Sequence, residues 1–327
     1  MLYLFIGFAQ QTYVPDDNFE QLLISGGFDN ILDDLVFTAN IDTITYMNVN
    51  FQNINSLVGI EDFTALEYLS CKGNQLDSLI IDSCINLKEL NCSQNNLTTL
   101  DVSSNLNLTK LTCGNNNLTA LNVSTNIALK EFSCSANPLT NLTLNDTALQ
   151  ELYCSITFLT TLDLSNNVNL EIAIIGNSNL SSMNLNGAVN LVILSIQDNN
   201  LSSLDISTNI YLETLYAVNN NLSSLDLRNG NNIDLFINIK QNPNLSCISV
   251  DDTTLANTNW TVANSNIDQQ HYFSLNCSAT GITEIRDENR RLLKITDMLG
   301  RETKPKQNIS LFYIYSDGTV EKRIIIE

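Results

Sequence analysis

From residue 44 to residue 246, apolar and polar positions return in a fixed order about every 21 residues. Aligned on the first apolar residue, the units open at Ile44, Leu66, Leu87, Leu108, Leu129, Leu149, Leu170, Leu191 and Leu212, with a degenerate one from Ile233. Within a unit, a stretch such as Glu89-Leu90-Asn91-Cys92-Ser93 has the two-residue period of a strand. Positions 90 and 92 then point inward, and 89, 91 and 93 outward. So short a unit cannot bury its apolar face alone, so neighbours must stack. The pattern predicts a solenoid of about nine to ten repeats, with parallel strands roughly 4.8 Å apart lining one face. A second run, Leu100-Asp101-Val102-Ser103 and its equivalents, is expected as a short extended segment on the opposite face, leaving little room for helix.

Residues 87–107, LKELNCSQNNLTTLDVSSNLN, and the next unit, LTKLTCGNNNLTALNVSTNIA, match slot for slot. This resembles the leucine-rich repeat pattern L-x-x-L-x-L/C-x-x-N-x-L, and the resemblance implies a β-rich leucine-rich-repeat solenoid with the parallel sheet on its concave face. The Asn slot reads Asn74, Asn95, Asn116, Asn137, Thr157, Ser178, Asn199 and Asn220. At the turn after each strand, a side-chain amide there can pair backbone groups that the curving chain leaves open, forming a ladder.

Cys71, Cys92, Cys113, Cys134 and Cys154 occupy one inward slot and therefore stack. A metal or redox reading competes with a packing one. The packing reading is preferred because the same slot holds Val49, Ile175, Ile196 and Ala217 in other units, and thiols about 5 Å apart with parallel Cα–Cβ bonds suit a disulfide poorly. The run resembles the cysteine ladder of internalin-type bacterial repeat proteins, with reduced, buried thiols expected. Cys84 falls in another slot, aligned with Asn105, Asn126, Asn167 and Asn209, and is expected to be a lone thiol. Cys247 and Cys277 bracket a segment that breaks the period and contains the single Trp, Trp260. They are expected to close a C-terminal cap over 247–277 as a disulfide, which requires an oxidising compartment.

Composition narrows function. Leu and Asn number 49 each among 327 residues, and the net charge is −20. So acidic a chain is a poor partner for nucleic acid. With one His, His271, and no recognisable nucleophile, metal or nucleotide motif, no enzyme, cofactor or metal is expected. The row Asp101, Asp163, Asp205 and Asp226 could bind calcium, but its alternation with Asn122, Thr143 and Asn184 is better read as relief of like-charge repulsion.

The ends differ from the body. Residues 2–9, LYLFIGFA, read as the remnant (1–10) of a secretory signal peptide, the alternative being a buried N-terminal strand. Residues 11–43 read as an N-terminal cap with a short helix capped by Asp16 or Asp17. No transmembrane segment is present in the hydropathy pattern, as no apolar stretch reaches about 18 residues. Residues 1–277 carry a net charge of −21, and 278–327 carry +1. That tail alternates as strands, with a turn at Leu299-Gly300 and a hairpin at Ser316-Asp317-Gly318. It resembles the C-terminal sorting domain of the type IX secretion system of Bacteroidetes, through Asp297, Gly300 and Arg301, then Tyr313 and Ile314, then Asp317 and Gly318, then Lys322, Arg323 and the closing isoleucines. The resemblance implies recognition by the type IX translocon and an extracellular or outer-membrane location.

The fold does not dictate its outward slots. These are polar and charged in the first half and turn apolar from Tyr153 onward, through Ile172, Ile174, Ile193, Tyr216 and Val218. One reading makes this row a binding surface for a protein or glycan partner. The other holds that β-branched residues simply suit strands. The expected molecule is a monomeric, exported binder, the alternative being a surface-layer spacer or periplasmic scaffold.

Overall fold

The computed structural model describes residues 10–144, 148–277, 292–297, 300–305, 310–316, 318 and 320–324. The apolar stretch 2–9, Asp317 and the side chains of Lys322 and Arg323 lie outside the described residues. The chain divides into two compact units, 1–277 and 278–327.

The larger unit is a parallel β-solenoid. Three-residue strands, one per coil, form a ten-stranded sheet running from Tyr46–Asn48 through Glu89–Asn91 and Ile172–Ile174 to Phe236–Asn238. Pairing is parallel and in register, so equivalent slots become physical rows: Glu151 faces Ile172, Ile172 faces Ile193, and Ile193 faces Thr214. The second run forms strands on the opposite face from Ala120–Asn122 onward, in separate sheets of two, two and four strands. Between the two faces, the leucines opening each coil (66, 87, 108, 129, 149, 170, 191 and 212) and the inward strand residues are buried, with Leu142, Met183 and Phe273 only partly so. At about 1.5–3 kcal/mol for each buried Leu or Ile side chain, this core is the main source of stability.

Coils need turns, and polar side chains stabilise them. Asn116 Nδ2 donates to the carbonyls of Cys92 and Cys113 at 3.0 Å, while its Oδ1 accepts the Leu97 N–H at 3.0 Å. Asn74, Asn95, Asn137, Asn199, Asn220 and Asn242 repeat the arrangement. Thr157 and Ser178 interrupt it with a hydroxyl pair at 2.9 Å. A second ladder occupies the slot shared with Cys84. Asn105 and Asn126 each donate to carbonyls of the preceding coil, and the Cys84 thiol donates to the Ile60 carbonyl at 3.4 Å.

On the opposite face, Asp101, Asp163, Asp205 and Asp226 each accept the backbone N–H two residues on, and Asn122 and Asn184 do the same. An Asx turn needs one side-chain oxygen and no charge, which explains the Asp/Asn exchange better than charge relief does. The Ser103 N–H lowers the Asp101 carboxyl pKa from its ordinary value, the Ser165 hydroxyl with its N–H lowers that of Asp163, and the Arg228 guanidinium lowers that of Asp226.

Both ends of the solenoid are covered. Strands Gln11–Tyr13 and Leu35–Phe37 pair antiparallel around helix Asp17–Ser25. Its N-cap is Asp16 rather than Asp17: Oδ1 accepts from Asn18 and Phe19, and Oδ2 accepts from Asn55 and Ser56 of the first coil. At the other end, Cys247 and Cys277 form a disulfide. Within the segment they bracket, helix Thr253–Asn259 leads to the buried Trp260, whose Nε1 donates to the Leu235 carbonyl at 3.0 Å.

The degenerate coil does not open at Ile233, which is 74% exposed. The turn through Gly230 adds a residue, so Phe236, not 235, pairs with Thr214.

The smaller unit is an antiparallel meander of Leu292–Thr296, Ser310–Tyr315 and Val320–Ile324. Ile295, Leu311 and Tyr313 are its buried centre. Asp297, Gly300 and Arg301 come together in one turn: Asp297 accepts the Arg301 N–H at 3.0 Å and Nε at 2.8 Å, and Gly300 takes φ of 78°. Gly318 takes φ of 84° in the next hairpin.

Candidate functional site

Outward side chains of the ten-stranded sheet fall into two blocks. In the first, Tyr46 and Tyr68 stack with ring centroids 4.4 Å apart, and polar residues follow. Lys110 pairs with Glu131 and lies among Glu89, Glu131 and Glu151. The hydrogen bond to Glu131 raises the Lys110 ammonium above its ordinary pKa. Tyr153 donates its hydroxyl to Glu151 at 2.8 Å, which pushes its phenol up as well. A groove of about 310 Å³ opens here, lined by Lys110, Thr112, Glu131, Ser133, Glu151 and Tyr153 among others.

The second block is apolar. Ile172, Ile174 and Ile193 are half-buried neighbours on two adjoining strands, Tyr153 faces Ile174, and Ser195 faces Tyr216. Val218 is half-buried two residues beyond the end of strand Thr214–Tyr216.

Sequence reasoning missed three exposed apolar side chains in this part of the solenoid, one of them in the block. Phe236 is 45% exposed, and its ring lies 5.6 Å from that of Tyr216. The extra residue before it hid it, because a strict period of 21 places 235 in the slot. Ile156 and Phe158, both more than half exposed, follow the strand that carries Tyr153. Other coils place Asn at 177 and 219, and at 179 and 221, in these slots. Ile156 also holds φ at 58°, in the left-handed region that its branched side chain disfavours. The signal was present: the coil containing Ser155-Ile156-Thr157-Phe158 departs from the Asn-rich turn at every slot but the first.

The cysteine row is different in kind. Cys71, Cys92, Cys113, Cys134 and Cys154 are all buried, and all remain free thiols, as does Cys84. Burial pushes the Cys92 and Cys84 thiols up to about 12 and holds Cys71, Cys113 and Cys134 well above 9.0. A thiol so hard to ionise is neither a nucleophile nor a ready metal ligand.

Coils of about 21 residues, an inner parallel sheet and an asparagine ladder from Asn74 to Asn242, interrupted only at Thr157 and Ser178, together decide the fold. It is a leucine-rich-repeat solenoid. No protein-family model matches the chain, and no curated protein matches it. Solved leucine-rich-repeat structures do resemble it. The functional domain of InlJ from Listeria monocytogenes, which includes a cysteine ladder, is 19% identical over 98% of this chain and 99% of that one, with a TM-score of 0.44. Internalin C2 of the same species is 21% identical over 74% of this chain and 98% of its own, with a TM-score of 0.46. The plant peptide hormone receptor RGFR1, solved in complex with RGF2, is 19% identical over 63% of this chain and 40% of the receptor, with a TM-score of 0.49. Among the described residues, no helix of this leucine-rich-repeat chain is long and apolar enough to cross a membrane.

Proposed function

We propose that this leucine-rich-repeat protein is exported to the cell surface or medium and binds a protein or glycan partner through its concave face. The carrying observation is the block formed by Ile172, Ile174, Ile193, Tyr216 and Phe236, in outward slots that hold charged and polar residues in the coils from Glu89 to Glu151. Contiguous aromatic and aliphatic surface beside a charged groove is the composition of a binding hot spot with a polar rim. The double substitution Ile174→Asp and Tyr216→Asp, scored on immobilised glycans and cell-surface proteins, is expected to abolish binding without changing the circular dichroism or melting temperature. Binding that survives in a folded variant would sink the reading.

Export is supported by the Cys247–Cys277 disulfide at the end of the solenoid. Delivery by the type IX route rests on the tail, where Asp297, Gly300 and Arg301 share a turn and Tyr313 packs in a small core. In a flavobacterium with an intact type IX system, the full chain should reach the surface, and a chain ending at Cys277 should remain in the periplasm. If both remain inside, the tail is no sorting signal.

A structural role has one observation of its own in favour. Ile85, Leu106, Ile127, Val168, Val189 and Ile210 form an exposed apolar row outside the concave face. If side-by-side packing is the function, Ile127→Asp with Ile210→Asp disperses the assembly, and the concave substitutions leave it intact.

A further inference from the structure

The N-terminal cap has an electrostatic problem. Glu20, in helix Asp17–Ser25, is fully buried, and its carboxylate lies against the loop that follows the helix. Oε1 accepts the Asp33 backbone N–H at 3.0 Å, but Oε2 is buried with no hydrogen-bond partner. The half-buried Asp29 shows the same defect at Oδ2. One carboxylate oxygen from each of Glu20, Asp29 and Asp33 lies within 4.8 Å of the others.

Burying a carboxylate oxygen without a partner is costly, and three carboxylates around one point repel each other as well. Among the described residues no Lys, Arg or His forms an ion pair with these three, and residues 10–71 contain ten Asp or Glu and no Lys, Arg or His. We propose that Glu20, Asp29 and Asp33 bind a Ca²⁺ ion that ties the loop of residues 26–34 to the cap helix. Calcium–oxygen bonds of about 2.3–2.6 Å allow ligand oxygens to stand up to about 5 Å apart across one ion, which accommodates the observed spacing. The ligand set is all oxygen, which suits a hard cation and not a thiolate- or imidazole-seeking metal. Asp33 is exposed, so water can complete the irregular shell of six to eight oxygens that Ca²⁺ accepts, whereas Mg²⁺ demands a near-ideal octahedron.

The site is separate from the concave face and does not depend on its having a ligand. The test uses the full chain stripped with a chelator, titrated calorimetrically with CaCl₂ and in parallel with MgCl₂, and melted with and without each salt. The expected result is one Ca²⁺ per chain, an affinity in the range of about 10⁻⁴–10⁻³ M typical of extracellular modules, and a higher melting temperature with calcium. Asp29→Asn with Asp33→Asn should weaken binding about tenfold or more and remove the melting shift, because the ligand charge falls from −3 to −1. Should that variant lose its circular dichroism, Asp33→Asn alone, at an exposed position, takes its place. The proposal fails if calcium at about 10 mM gives neither heat nor a melting shift. It also fails if folded variants keep full affinity, which would place the ion elsewhere, or if Mg²⁺ binds as tightly.

Discussion

The two halves of the concave sheet use the same scaffold with different residues. In the first half, the inward slot after each strand holds Cys71 to Cys154, and the outward slots hold Glu89, Lys110, Glu131 and Glu151. In the second half, the inward slot holds Ile175, Ile196, Ala217 and Ile239, and the outward slots hold Ile172, Ile174, Ile193, Tyr216 and Phe236. Register, strand length and burial continue across the change, since every one of these inward residues is buried and every strand pairs in parallel. Inward identity is therefore a packing choice among small apolar groups. Outward identity is not needed for the fold, and its change midway is the feature on which the proposed binding role rests.

The largest difference between the halves should appear at high pH. A folded thiol held at about 12, as Cys92 is, stays protonated where the unfolded chain's thiol, near 9.0, ionises. Its contribution is whole below about pH 9 and is lost as pH rises towards 12. At about 1.4 kcal/mol per pH unit, the loss approaches about 4 kcal/mol for this residue alone. Cys71, Cys113 and Cys134 act in the same direction. Urea unfolding of the parent and of Cys92→Val from about pH 8 to 11 measures it. The variant, whose Val occurs in this slot at Val49, should cost less than about 1.5 kcal/mol at neutral pH and lose less stability in alkali. Equal alkaline losses would show that the thiols are not the cause.

A smaller effect is expected where the halves meet. Ile156 holds a left-handed backbone that costs a non-glycine residue about 1–2 kcal/mol, and at 59% exposure it recovers little by burial. Gln94, Asn115, Asn177 and Asn219 take the same conformation in other coils. Ile156→Asn should therefore raise the unfolding free energy by about 1 kcal/mol, while weakening partner binding if Ile156 and Phe158 extend the apolar block. A stability that falls would mean that packing around Ile156 outweighs the strain.

These cases mark what the sequence can carry. The period, the inward rows, the asparagine ladder and the Cys247–Cys277 pairing were legible because each repeats across coils or breaks the repetition sharply. Phe236 was not legible, because one added residue near Gly230 shifts the slot and only the observed pairing with Thr214 reveals it. The sequence offered Asp16 or Asp17 as the N-cap without choosing between them, and the burial of Glu20 was not legible; both depend on where non-repeating cap segments return in space. The Asp/Asn alternation could be seen in the sequence, but its cause, a bond to the N–H two residues on, is a property of the backbone.

The smallest effect belongs to the charged block. Lys110 and Glu131 form an ion pair, yet each side chain is 45% exposed, and exposed pairs contribute about 0–1 kcal/mol. Lys110→Ala should therefore change stability by less than about 1 kcal/mol, and added salt should shrink even that. It also removes the cation that lies among Glu89, Glu131 and Glu151, making this block more negative. If a partner approaches over this block, Lys110→Ala will alter the association rate and its salt dependence more than the dissociation rate. If neither rate moves while Ile174→Asp abolishes binding, contact is confined to the apolar half. The boundary at Tyr153 is then the edge of the binding site.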